Sequence, residues 1–224
     1  MVTRVYVDVD TQHDFCSPDG ALFVRGAPAT MGPIAALLGA ARRDGSPIVG
    51  SVDSHSHDAW EFATNDRRGP GGEKPNFPPH CVKGTAGWLK LTETLPSRFY
   101  FVPMAPDVDA AGRIPAGTEA VYFEKEVYSL FANPNAEAVL DAFCPPGPVE
   151  FVVFGVATDY CVAAAARGLV GWVAARSARA GSRVRLAVDA VAAVDPAQGE
   201  RTLRALAEEG VALDTTASIL APTG

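Results

Sequence analysis

Six short, mostly apolar runs alternating with stretches of helical spacing constrain this chain more than any other feature. The runs are Val5–Val9, Pro47–Val52, Ala120–Phe123, Glu150–Phe154, Val184–Val188 and Val211–Leu213. They are rich in Val and show little strict alternation, the pattern of strands buried on both faces. Between them, Ala29–Arg43 sets Ile34, Leu37, Leu38 and Ala41 on one side of a helix. Pro134–Phe143 is helical in pattern, an Ala-rich helix starts near Tyr160, and Pro196–Glu209 opens on a proline suited to a first helical turn. Strands and helices in this order predict an α/β fold with a mainly parallel sheet covered on both faces. The 224 residues, 48% of them hydrophobic, fit one domain spanning 1–224.

Two stretches break the rhythm. From Ser54 to about Pro96 the chain is rich in Gly, Pro, His and Trp, too long for an ordinary connection, so 54–96 is read as a functional insertion or lid. Arg176–Arg185 carries four arginines and is read as a solvated helix end and loop. A net charge of −7 without a basic run argues against nucleic acid or an anionic membrane as partner. No apolar run is long enough to span a bilayer, and the chain enters its first strand directly, without a secretory leader, so a cytoplasmic setting is expected. Cys16, Cys81, Cys144 and Cys161 are too irregularly spaced for a zinc ribbon, and disulfides are not expected. Burial as small apolar side chains accounts for the first three.

Ligands of open parallel sheets sit beyond the carboxyl ends of the strands. Here those ends carry Asp10, the pair Asp53-Ser-His55, Lys125, and the segment Gly155-Val-Ala-Thr-Asp-Tyr-Cys161. Cys161 falls at the start of a helix, with Thr158 and Asp159 as suitable caps. A thiol there feels the positive helix end, so a depressed pKa is expected, and free backbone N–H groups could hold an oxyanion. A structural, buried cysteine is an equally good reading of that position alone. Asp10 closes an apolar strand and needs a cation; Lys125 is the obvious one. Asp, Lys and Cys together make a workable nucleophile set. Asp53 and His55 share one side of an extended chain, and His80 sits on the stiff Phe77-Pro-Pro-His80 segment. With Glu61 or His57 near in sequence, two imidazoles and a carboxylate suit one divalent ion: zinc, iron or manganese. His13 and His57 are better read as ordinary, non-ligating histidines.

These residues resemble a known family. Val9-Asp-Thr-Gln-His-Asp-Phe-Cys16 is similar to the opening motif of nicotinamidases and the wider isochorismatase-like cysteine hydrolases. Asp53-Ser-His55 and Pro78-Pro-His-Cys-Val-Lys-Gly-Thr85 resemble its metal-binding segments, Phe123-Glu-Lys125 its lysine, and Gly155–Cys161 its nucleophile motif, all in family order. The resemblance implies a three-layer α/β/α fold with a mostly parallel six-stranded sheet. It implies Asp10, Lys125 and Cys161 as catalytic triad, and a cis peptide at Val156–Ala157 that turns the N–H groups of Ala157 and Cys161 toward the oxyanion. It implies Asp53, His55 and His80 as metal ligands, with Glu61 a further carboxylate ligand in some relatives, and Phe15 and Phe77 flanking an aromatic substrate ring, with Tyr160 counted among the substrate-binding side chains.

The expected activity is hydrolysis of a small aromatic carboxamide, nicotinamide first, to the acid and ammonia through a Cys161 thioester. A homo-oligomer is compatible with it. Three other readings stand beside it: a sister amidohydrolase of N-carbamoyl compounds, an isochorismatase, and a silent binding or assembly protein. The metal set argues against the first, Cys161 against the second and the intact triad against the third. The chain departs from the family in a longer segment before its fifth run, in Thr64–Pro75, and in lacking Gly-x-Asp after Lys125.

Overall fold

The computed structural model describes residues 3–221 except residue 70. Its centre is a sheet of seven strands, β1 (Thr3–Val9), β2 (Ile48–Asp53), β3 (Phe99–Val102), β4 (Ala120–Lys125), β5 (Val149–Val156), β6 (Arg183–Ala192) and β7 (Ala212–Asp214). They lie in the order β3-β4-β2-β1-β5-β6-β7, and every neighbouring pair is parallel. The expected six strands are therefore seven. The addition, β3, is a four-residue edge strand stopped by Pro103, and its outermost residue, Phe99, faces solvent. Half-exposed aromatics next to proline lack the Val-rich signature of the central strands.

Among the described residues six α-helices complete the fold: α1 (His13–Cys16), α2 (Ala27–Asp44), α3 (Ala136–Phe143), α4 (Ala163–Ala174), α5 (Pro196–Glu208) and α6 (Thr216–Leu220). Ile34, Leu37, Leu38 and Ala41 of α2 pack with Tyr6, Ile48, Tyr122 and Phe154 on one sheet face, where Ile219 of α6 joins them. Val5, Val7, Val9, Phe151 and Val153 point to the other face, against Leu140 of α3, Leu169 of α4 and Leu206 of α5. The strand period of two distributes β1 and β5 between the two cores. Burial of one such Leu or Phe contributes roughly 1.5–3 kcal/mol. Helix α2 ends at Gly45, whose φ of 62° is the left-handed cap that a Cβ would disfavour. Connections leaving β1 run one way along the sheet across the α2 face. Those leaving β4, β5 and β6 run the other way across the opposite face, so all keep one hand.

Between Asp53 and Phe99 the only regular helix among the described residues is a turn of 3₁₀ at Thr92–Thr94. This long loop is tied down by isolated bridges, Gln12 with Lys90, His55 with Val82 and Phe62 with Phe77. Its far end is also pinned by charge. Lys90 Nζ lies 3.0 Å from Asp8 Oδ2, both side chains are sealed from solvent, and Lys90 donates to Thr11 Oγ1 at 2.7 Å. Nothing in the strand pattern marked Asp8 as half of a buried ion pair.

The arginine-rich stretch departs from the solvated reading. Arg176 pairs with Glu137 and Asp141 and stacks on Trp172, and Arg179 is buried, donating to the carbonyls of Pro145 and Gly147. Arg183 and Arg185, with Arg4, converge on the buried Glu150 carboxylate at 2.6, 3.1 and 3.2 Å. Burial pushes the Glu150 carboxyl up, but Arg183 and Arg185 outweigh it and hold the group below its ordinary value. A lowered folded-state pKa means the contribution to stability is complete above the ordinary glutamate range and is lost as pH falls through the lowered value. Glu150→Gln should therefore cost about 3 kcal/mol near neutrality, the scale of breaking a buried ion pair. Urea denaturation should show the gap between variant and wild type closing below about pH 4.

Candidate active site

Strands β4, β2 and β1 are neighbours, and their carboxyl ends deliver Lys125, Asp53 and Asp10 to one place. Beside β1 lies β5, which leads into Cys161. Connections from β1 and β5 depart in opposite directions, which opens the crevice between their ends where α/β sheets bind ligands. Asp10 takes a left-handed turn, φ 48°, directly after β1. Gly155, at φ 119°, lies so close against β1 that a Cβ would run into the Val9 carbonyl. The Val156–Ala157 peptide is cis, and a turn of π-helix, Thr158–Val162, then carries Cys161 into α4.

The side chains of Asp10 and Lys125 are fully buried and Cys161 nearly so. Lys125 Nζ lies 2.8 Å from Asp10 Oδ2, donates to Cys161 Sγ at 3.4 Å and also binds Asp53 Oδ1. Ser51 Oγ donates to Asp10 Oδ1 at 2.7 Å. Oδ2 has no aligned hydrogen bond, so it is the Asp10 oxygen open to a thiol proton. Burial pushes both carboxyls up. At Asp53, Lys125 and the two imidazoles overcome that and hold the group well below the usual range; at Asp10 burial wins and the value is raised. Two neighbouring carboxylates with opposed shifts suit different tasks, a fixed charge and a proton carrier.

The expectation of a depressed Cys161 pKa is corrected. Burial raises the thiol well above its ordinary value; Lys125 lowers it, but Asp10 and Asp53 raise it again. The helix end is present, yet two carboxylates in a dry site outweigh it. The expected caps differ too. Ala157 precedes the π-turn without a side-chain cap, and Asp159 instead accepts from the N–H groups of Val194 and Asp195, at 3.0 Å each, across to α5. Among the described residues neither Ala157 nor Cys161 donates its N–H to a turn or loop carbonyl.

Beside this cluster stand Asp53, His55 and His80, whose ligand atoms lie within 4.8 Å of one another. Glu61 Oε1 is 3.0 Å from His55 Nε2 and 3.4 Å from His80 Nε2. Neither ring nitrogen of His55 has an aligned hydrogen bond, although the ring is buried. His80 Nδ1 lies 2.8 Å from the Pro78 carbonyl, the contact that fixes a tautomer with a bare Nε2. Burial disfavours charge on His55, but Asp53 and Glu61 overcome it and lift the ring to about 9, so the pocket draws a cation. Orphaned imidazole nitrogens between two carboxylates fit a divalent ion. His57 is exposed and His13 half-exposed; both fall outside the cluster.

Phe15, Phe77 and Tyr160 line one small cavity with Asp53, His80 and Cys161. The Phe15 and Phe77 rings approach His80 at 5.5 and 5.9 Å, and Phe77 meets Tyr160 edge-on at 6.0 Å. Sequence reasoning missed several contributors. Tyr128, from the stretch that departs from the family, packs on Tyr160 at 5.3 Å and borders the same cavity. Gln12 donates to the Asp53 and Trp88 carbonyls and accepts from the Asp53 N–H, each at 2.8 Å. The motif contained Gln12, but only its spatial partners reveal what it does.

The chain belongs to the isochorismatase domain family, whose model matches residues 5–218. Within that family it is 29% identical over 210 residues to the nicotinamidase/pyrazinamidase of Mycobacterium tuberculosis, covering 92% of this chain and 93% of that one. Its fold is shared with the pyrazinamidase of Pyrococcus horikoshii in complex with zinc, at a TM-score of 0.69 and 24% identity over 95% of this chain and 98% of the other. N-carbamoylsarcosine amidase from Thermoplasma acidophilum shares it as well, at a TM-score of 0.65 and 24% identity over 99% of each chain.

Gln12→Leu should leave the buried Asp53 N–H without a partner and cost about 2 kcal/mol. Chemical denaturation of the purified variant measures it; an unchanged midpoint would remove Gln12 from the frame of the site.

Proposed function

We propose that this hydrolase cleaves a small aromatic carboxamide, nicotinamide or a close analogue, to the acid and ammonia. The observation that carries the reading is one buried lysine touching Asp10, Asp53 and Cys161, beside a histidine–carboxylate cluster and under an aromatic wall. The resting nucleophile is the thiol. Asp10 Oδ2 accepts its proton as sulfur attacks the amide carbon, and Lys125 keeps the charge of the pair balanced. The N–H groups of Ala157 and Cys161 stabilise the tetrahedral oxyanion. Asp10 then gives the proton to the departing ammonia. Water, deprotonated by the same carboxylate, hydrolyses the thioester and restores the thiol. Asp53, His55 and His80, with Glu61, would hold one divalent ion of zinc, iron or manganese, which supplies a Lewis-acidic anchor for a ring nitrogen. Phe15, Phe77 and Tyr160 hold the ring and exclude water.

Ammonia release from nicotinamide and pyrazinamide, against N-carbamoyl compounds, tests the reading. Turnover of the ring amides is expected; turnover of ureido substrates alone would move the chain to the sister amidases. Cys161→Ala should abolish release, and Asp10→Asn should lower kcat at least about a hundredfold, the scale of lost acid–base help. Stripping metal should mainly abolish productive amide binding, restored by adding the ion back. Full turnover with less than about a tenth of an equivalent of metal would rule out the anchoring role assigned to the site.

A further inference from the structure

We infer that Asp14 is a positioning residue for the metal centre, coupling it to the aromatic wall; the inference rests on the metal reading above. Asp14 opens no chemistry of its own. It is buried in α1, next to Phe15, and both its carboxylate oxygens are spent on backbone N–H groups of other segments. Oδ2 accepts from Cys81 N at 2.7 Å and Oδ1 from Ala21 N at 3.0 Å.

The Cys81 peptide is the junction on which the two imidazoles hang. Its N–H belongs to the peptide shared with His80, and its carbonyl accepts from His55 N at 3.1 Å. Cys81 itself is held at φ 45°, a left-handed conformation that a side chain disfavours, so its surroundings must impose it. The Asp14 carboxylate is the charged acceptor in that position. Backbone bonds extend the clamp. Asp14 N donates to Gly87 O at 3.1 Å, and Asp14 O accepts from Leu22 N at 3.1 Å, so the long loop, α1 and the Leu22 wall of the cavity meet on one residue. Gly87 packs so closely on the carboxylate that a Cβ there would run into Asp14 Oδ2.

Asp14 thus holds His80 and His55 at a fixed separation and keeps Phe15 in register with them. Partners that orient ligands from behind commonly change metal affinity by 10–100-fold when lost. The test uses full-length protein stripped with chelator and titrated with Zn²⁺ against a chromophoric competitor, for wild type, Asp14→Ala, Asp14→Asn and Gly87→Ala. Asp14→Ala should bind Zn²⁺ at least about tenfold more weakly. Gly87→Ala, which disturbs the same carboxylate from the other side, should follow it. Asp14→Asn keeps an oxygen for Cys81 N–H and should recover most of the affinity. With nicotinamide, KM should rise in the two weakened variants while kcat at saturating metal stays near wild type. A purely structural role would lower Tm in these variants without moving the Zn²⁺ affinity. Folded Asp14→Ala or Gly87→Ala protein that binds Zn²⁺ within about twofold of wild type overturns the assignment; if Asp14→Ala does not fold, Gly87→Ala alone decides. A wild-type protein that takes up no Zn²⁺ overturns the metal reading and this inference together. Uptake by wild type with unchanged variants sinks Asp14 alone.

Discussion

An ammonium group sealed from water would be among the most costly things this fold contains if it stood alone. Lys125 does not. At the end of β4 it meets Asp10 from β1, Asp53 from β2 and the Cys161 thiol beyond β5. Each partner comes from a different element, so the cation is satisfied only when the parallel sheet is assembled in its native order and register. The same constraint fixes the electrostatics. Two carboxylates compete for one lysine; Asp53, with two imidazoles as well, stays firmly charged, and Asp10 is left as the group whose burial favours a proton. In the proposed mechanism Cys161 accordingly acts as a thiol waiting for a base rather than a standing thiolate.

The long loop between Asp53 and Phe99 depends on the sheet in a different way. It contains little regular structure, and its order comes from side chains that reach out of the first strand and its exit. Asp8 pairs with Lys90, Gln12 bridges Asp53 and Trp88, and Asp14 bridges Ala21 and Cys81. Three residues of one short segment stitch distant pieces of the chain together. A loop rich in Gly and Pro has little core of its own to hold it, and buried polar stitches supply a unique arrangement where hydrophobic packing cannot. The cation-drawing cluster is built at that seam, with Asp53 and His55 from the sheet side and Glu61 and His80 from the long loop.

Much of this was legible in the residues. Val-rich strands, the helices between them and the polar strand ends follow from period and composition, because parallel strands buried on both faces leave an unmistakable pattern. Asp10, Lys125, Cys161, Asp53, His55 and His80 were all legible as polar groups at strand ends or on stiff loops, and the motifs they sit in placed the chain in its family. The edge strand β3 was not legible, since a half-exposed aromatic tetrapeptide before proline has no buried period. The arginines of 176–185 read as solvated because sequence does not reveal that Trp172, Glu137, Asp141 and Glu150 stand across from them.

What the sequence alone determined was the kind of fold and the inventory of reactive groups, both of which depend on local pattern. Tertiary structure decided how those groups behave. The helix start that should have lowered the Cys161 pKa is overruled by burial, to which two carboxylates arriving from β1 and β2 add. The roles of Asp8, Gln12 and Asp14 appear only when their partners, 7 to 82 positions away, are brought against them. Hydrophobic periodicity is a property of neighbours along the chain, whereas charge pairing, desolvation and the satisfaction of buried N–H groups are properties of neighbours in space.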